Sequence, residues 1–169
     1  MIRYLTRTAP VVLRALLDDT PTNVSRLSRR VRLADIDTNL HMNQAVYAQV
    51  MELGRADLII RSGALRRWRR AGTKPVVASQ HIVYRRELRR GTRYTLDTRC
   101  TGISGRLPCL QTHLLVGDRV HARADVELIL IGPDGVLDAA AAEAQSGWLV
   151  ARPLAVRDWH LAATPSATT

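Results

Sequence analysis

The residue types able to do chemistry are crowded into one run: Asp35-Ile36-Asp37-Thr38-Asn39-Leu40-His41-Met42-Asn43-Gln44-Ala45-Val46-Tyr47. It stands between a strand-like segment and the longest apolar-periodic segment of the chain. A carboxylate just ahead of a helix lies beside backbone N–H groups that have no intrahelical acceptor, and beside the positive end of the helix dipole. The dipole keeps the carboxylate ionised, and the free amides can hold an anion close by. Taken singly, these residues also have structural readings. Asp37 can cap a turn or helix, and Asp35, two residues earlier on an extended segment, is expected to be exposed or a hydrogen-bonded structural residue. Asn39 and Asn43 suit loop closure and capping. His41 suits a hydrogen-bonded position near the helix start, and Tyr47, one turn into the helix, suits the core.

The spacing as a whole, Asp-x-Asp-x-x-x-His-x-Asn-x-Ala-x-Tyr followed by a long helix, resembles the opening of the 4-hydroxybenzoyl-CoA thioesterase family, whose members have the hot-dog fold. The runs Asn39-Leu40-His41-Met42-Asn43, Glu52-Leu53-Gly54-Arg55 and Asp57-Leu58-Ile59-Ile60-Arg61-Ser62-Gly63 are most similar to the branch related to the thioesterase superfamily member 6 proteins. The resemblance spans residues 28 to 132 and implies an acyl-thioester hydrolase acting on acyl-CoA or acyl-carrier-protein substrates, without a cofactor. In it Asp37 matches the catalytic carboxylate, either a general base towards water or a nucleophile that forms a mixed anhydride. The backbone N–H at Gln44 matches the oxyanion donor, His41 is a further catalytic candidate, and Asn39, Asn43 and Tyr47 are the substrate-binding candidates. Many relatives carry Gly at the place of Leu40 and Asn at that of Gln44. The family further implies a homodimer or homotetramer with sites at subunit interfaces, where the strand around Val76 to Tyr84 of a neighbouring chain completes the pocket.

The elements that must position these residues follow from periodicity. Leu27 to Leu33 reads as a first strand. Asn43 to Gly63 is apolar over most of a helical surface, with a narrow polar stripe through Gln49, Glu52 and Arg55, so the rest of the domain must wrap it. Gly54 inside that helix costs about 1 kcal/mol relative to Ala, which points to a close approach of sheet, partner helix or ligand. Leu65 to Thr73 reads as a helical turn with Trp68 inward and four arginines in solvent, or as a phosphate-contacting patch. Period two then sets in over Val76–Tyr84, Thr92–Thr101, Leu107–Val116 and Val120–Ile131, a meander of four strands. One strand, a buried helix and a meander make an α+β domain, an antiparallel sheet curled around one helix, in the element order of the hot-dog fold.

Outside this region, Pro10 to Leu17 reads as a short amphipathic helix with Pro at its first position, docked on the domain or on a membrane surface. Asp18 to Ser25 reads as a linker, so that residues 1–25 precede a domain over 26–157 and a disordered tail over 158–169. Ala139 to Ala144 suggests a short helix or loop, and Trp148 to Val156 a docking segment.

Composition narrows the function. The chain has 169 residues, 46% apolar and 24% charged, which suits one soluble globular domain. Its formal charge of +10 invites a nucleic-acid reading. Only Lys74 is lysine among the 25 basic residues. That skew suggests a general preference for Arg, and a basic surface equally suits the phosphates of coenzyme A. No stretch reaches the roughly 18 apolar residues of a membrane span, and Pro10 and Arg14 break any signal-peptide core. Cys100 and Cys109 lack metal-ligand spacing and read as reduced thiols of a cytoplasmic protein; no metal is assigned. A hairpin turn at Ser104-Gly105 would set the two thiols opposite each other, a register Pro108 opposes. No Gly-x-Ser-x-Gly elbow and no phosphate loop exists. The rival readings are an acyl-thioester-binding protein without catalysis, an Arg-rich nucleic-acid or anionic-membrane binder, and a hydratase.

Overall fold

The computed structural model describes residues 2–18, 20–152 and 154; the tail expected over 158–169, and most of the docking segment beyond Arg152, lie outside them. The elements are helices α1 (Ile2–Leu17), α2 (Gln44–Arg61), α3 (Ala64–Arg70) and α4 (Ala139–Ser146). The strands are β1 (Val24–Arg30), β2 (Lys74–Tyr84), β3 (Arg93–Ser104), β4 (Leu107–Val116), β5 (Arg119–Gly132) and β6 (Gly135–Val136). The sheet is antiparallel in the order β1-β3-β4-β5-β2, with β6 added beside β5.

Helix α2 lies across the inside of this sheet. Its Val50, Met51, Leu53 and Leu58 share one core with Leu96 of β3, Leu110 and Leu114 of β4, and Ala122, Ala124 and Val126 of β5. Every second residue of β5 from Val120 to Leu130 is buried, as a strand with one face on a core requires. Trp68 of α3 is fully buried, and its Nε1 donates to the Gln145 carbonyl at 3.2 Å. Downstream of α4, Leu149 is buried and the Ala151 N–H donates to the Cys100 carbonyl at 2.8 Å.

Four expectations from the sequence need correction. The meander has three strands, β3-β4-β5; β2 crosses to the far edge and pairs with β5. Residues 85–92 between β2 and β3 are too many for the short loops hairpins favour, and they strap across the sheet's end instead. The first strand starts at Val24 and stops at Arg30, because Leu33–Asp35 turns into a 3-10 helix. Helix α1 begins at Ile2, with Pro10 inside it rather than at its start. The polar stripe of α2 is partly buried: Arg55 is only 8% exposed and its Nη1 reaches Gln80 Oε1 at 3.4 Å. Asp57, fully buried, accepts from Ser25 Oγ at 2.7 Å and pairs with Arg61 at 3.8 Å. The cysteines are free. The β3-β4 turn falls at Gly105-Arg106 and a bulge shifts the register, so Cys109 faces Gly102 and Cys100 faces Leu110.

The sheet face turned away from α2 carries a polar network centred on His113. Asp97 accepts from Arg26 Nε at 2.8 Å and from Arg99 Nε at 2.6 Å, and Asp125 accepts from Gln111 Nε2 at 2.9 Å. Burial alone would raise the Asp97 carboxyl, but the bonds from Arg99 and Arg26 outweigh it and hold it below its ordinary value. His113 is pushed down from 6.5 to about 4, by burial first and by the Arg123 charge second; Arg99 adds to the shift while Asp97 and Asp125 oppose it. Between those two values the unfolded chain binds a proton that the folded chain does not, so acid favours unfolding there. The expected outcome is a melting temperature that falls as pH drops from 6.5 towards about 4. His113→Gln should flatten that slope; an equal slope in both proteins would show that other groups set it.

Candidate active site

The run from Asp35 to Tyr47 is fixed from both sides before any ligand arrives. The Asp35 carboxylate accepts the Arg32 N–H at 2.8 Å, and its carbonyl accepts the Asn43 N–H at 2.9 Å. Asp35 is therefore a buried structural residue. From the other side comes the 85–92 strap, whose Leu88 is fully buried and accepts the Met42 N–H at 2.7 Å. Between these anchors the chain makes a tight turn. The Leu40 N–H donates to the Asp37 carbonyl at 3.1 Å, and the Asp37 N–H donates to the His41 carbonyl at 3.0 Å. Leu40 takes a left-handed backbone, φ 61°, with its side chain 78% exposed. That conformation costs an L-residue about 1 kcal/mol or more and costs glycine little. Leu40 therefore marks a glycine-type turn position and is not part of the cleft wall.

The turn presents Asp37. Its Oδ1 accepts the Asn39 N–H at 2.9 Å and stands 3.7 Å from His41 Nδ1, while Oδ2 has no partner among the described residues. Six residues on stands Asn43, the cap of α2. The Asn43 Oδ1 accepts the Ala45 N–H at 2.8 Å, and the Asn43 carbonyl accepts from Val46 at 2.9 Å and Tyr47 at 3.3 Å. One residue thus satisfies two of the amides that a helix start leaves open, those of Ala45 and Val46, and accepts the first regular intrahelical bond from Tyr47. The Gln44 N–H is left without an acceptor among the described residues.

Asp37, Asn39, His41, Asn43, Gln44 and Tyr47 all line one open cleft of about 630 Å³, so the structure brings together every residue that the motif nominated. It adds Tyr84, Arg85, Arg86 and Glu87, which the sequence reading missed. The available signal was an Arg pair directly after a strand that ends in Tyr, ahead of a gap too long for a hairpin. Tyr47 is 4% exposed and meets the Tyr84 ring edge to face, centroids 5.2 Å apart. Burial pushes the Tyr47 phenol up to about 12, and Tyr84 is raised by the same cause. Both phenols stay protonated at neutral pH and can act as donors. Chemically, the cleft offers two carboxylates, Asp37 and Glu87, each with an oxygen that has no partner among the described residues, together with one open main-chain donor at a helix start and a basic rim. Among the described residues no cluster of His, Cys, Asp and Glu could hold a metal.

Residues 31–147 match the family model described as the Thioesterase-like superfamily. The chain belongs to that superfamily. This thioesterase-like chain also resembles solved structures at low sequence identity. One is YbaW, a probable thioesterase from Escherichia coli: TM-score 0.69, 20% identity, covering 75% of this chain and 99% of that one. Another is a probable thioesterase from Bartonella henselae: TM-score 0.55, 24% identity, covering 68% of this chain and 97% of that one. A third is the protein SAV2348 from Staphylococcus aureus, in complex with CoA: TM-score 0.61, 15% identity, covering 88% of this chain and 99% of that one. At such identities the likeness shows the fold, and the fold of this thioesterase-like chain is the hot-dog fold. No curated protein matches the sequence.

Proposed function

We propose that the protein hydrolyses an acyl thioester, carried on coenzyme A or on a carrier protein, and that Asp37 and the Gln44 amide do the chemistry. The observation that carries this reading is the division of labour at the start of α2: the cap residue occupies the amides of Ala45, Val46 and Tyr47 and leaves that of Gln44 open, in the cleft that Asp37 lines. A thioester oxygen seated at the Gln44 N–H turns its carbonyl carbon towards attack. In one route Asp37 Oδ2 takes a proton from water as the water oxygen bonds to that carbon. The carbon–sulfur bond then breaks and the thiol leaves. In the other, Oδ2 itself attacks, the thiolate departs, and water opens the resulting anhydride. In both, negative charge grows on the oxygen held by Gln44, where one such donor is typically worth about 2.7 to 4 kcal/mol. His41, beside Asp37, orients water or polarises the carbonyl; Asn39, Asn43 and Tyr47 contact the substrate. Arg85 and Arg86 on the rim suit an anionic carrier. Two free thiols suit the reducing cytoplasm.

The working form, on this reading, is at least a homodimer. Strand β2 is an eleven-residue edge with Val76 45% and Val77 46% exposed, and an exposed edge is a template for pairing. Its end, Tyr84, lies in the cleft, so a partner's β2 would run beside the site. Sedimentation of the purified chain should give a dimer or a larger even assembly; a monomer would remove the shared-site part of the reading. The reaction itself is tested by a panel of acyl-CoA and acyl-carrier-protein thioesters followed by release of free thiol. At least one should turn over. Binding of panel members without any hydrolysis would favour an acyl-binding protein instead.

A further inference from the structure

We propose that the outward face of α1, with the arginines of α3, docks this protein on the surface of an anionic lipid bilayer. Helix α1 packs on α2 through Val11 and Ala15, 6% and 3% exposed. With 3.6 residues per turn, Leu13, Leu16 and Leu17 fall on the opposite side, and they are 59%, 60% and 73% exposed. A helix lying on a water-soluble domain carries polar residues there; one that is apolar on the outside as well needs a second apolar medium.

The neighbouring surface says which medium. Leu16, Ile60 and Leu65 help line a hollow of about 520 Å³ between α1, α2 and α3, whose rim carries Arg66, Arg69 and Arg70. These three arginines are exposed and have no acidic partner among the described residues. The hollow's Asp18 is already paired with Arg61 at 3.1 Å, and Arg67 lies over the Trp148 ring at 4.5 Å. A nucleic acid offers phosphates to the arginines but no apolar phase to the leucines. A second copy offers leucines but brings one arginine cluster against another, in a chain of net charge +10. An anionic bilayer offers both in the right order, phosphates at the surface and hydrocarbon a few ångströms below.

The test is flotation of the full chain with vesicles of phosphatidylcholine, alone or mixed with phosphatidylglycerol. The protein should float with the mixed vesicles and stay in solution with the neutral ones. Leu13→Asp with Leu17→Asp, and separately Arg69→Glu with Arg70→Glu, should each lower the bound fraction by about tenfold or more. Arg106→Glu with Arg119→Glu makes the same charge change at the β3-β4 turn and the first residue of β5, and should leave binding near the parent level. Three results would overturn the proposal. They are no flotation of the parent with anionic vesicles at low salt, undiminished flotation of the leucine pair, and a leucine pair that changes the sedimentation mass, which would assign the face to contact between copies.

Discussion

Gly54→Ala is expected to melt at a lower temperature than the parent, although Ala is the better helix former. In a helix interior the exchange should gain about 0.5–1 kcal/mol. At this position an added methyl group falls inside van der Waals contact of Thr98 Oγ1 and 3.4 Å from Thr98 Cβ. Thr98 cannot swing away freely, because its hydroxyl is buried and hydrogen-bonded to Thr112 Oγ1 at 3.0 Å. Either the helix lifts off the sheet or that bond breaks. Overpacking of this kind costs about 1–3 kcal/mol, and a buried hydroxyl left unpaired costs a similar amount. A net loss of about 2 kcal/mol should appear as a drop of several degrees in Tm. An unchanged or raised Tm would mean that α2 sits further from β3 than the structure places it. The consequence reaches the site, since the depth of α2 in the sheet sets where its first turn, with Gln44, meets the cleft.

The parts of this molecule that sequence made legible are those where a local pattern decides the outcome. The α2 helix was readable because Val46, Val50, Met51, Leu53 and Leu58 leave so little polar surface that the helix must be enclosed. Strand β5 was readable because every second residue from Val120 to Leu130 is apolar and turns to the core. The site residues from Asp37 to Tyr47 were readable because they are contiguous, so one motif carries them all. What stayed hidden depends on which distant segments meet. Alternation in Val76–Tyr84 says that a strand forms but not that it pairs with β5 across the sheet. Tyr84 to Glu87 reach the cleft only through that crossing. The i to i+4 spacing of Asp57 and Arg61 suits an ion pair, but the spacing does not reveal that Ser25, from β1, donates to Asp57 in the interior. Pro10 read as a helix start because Pro favours that position, while the packing of Val11 and Ala15 on α2 belongs to a helix that began earlier.

The largest effect on function is expected from Asp37→Asn. Asparagine keeps the size of the side chain and an oxygen to accept the Asn39 N–H, so the turn that carries residue 37 should form as before. What disappears is the negative charge, and with it both the base that takes a proton from water and the nucleophile that would attack in its place. A positioned general base typically contributes about 10²–10⁴-fold, so kcat should fall by at least about tenfold and by as much as several thousandfold, with KM little changed. Retained binding separates this from a collapsed cleft, and an unchanged Tm separates it from a folding defect. The decisive measurement is thiol release from the best-hydrolysed acyl thioester, with parent and Asp37→Asn compared at equal protein and saturating substrate. The parent should turn the substrate over, and the variant should have lost nearly all of that activity. Turnover at the parent's rate by Asp37→Asn would contradict the role of Asp37 as base or nucleophile.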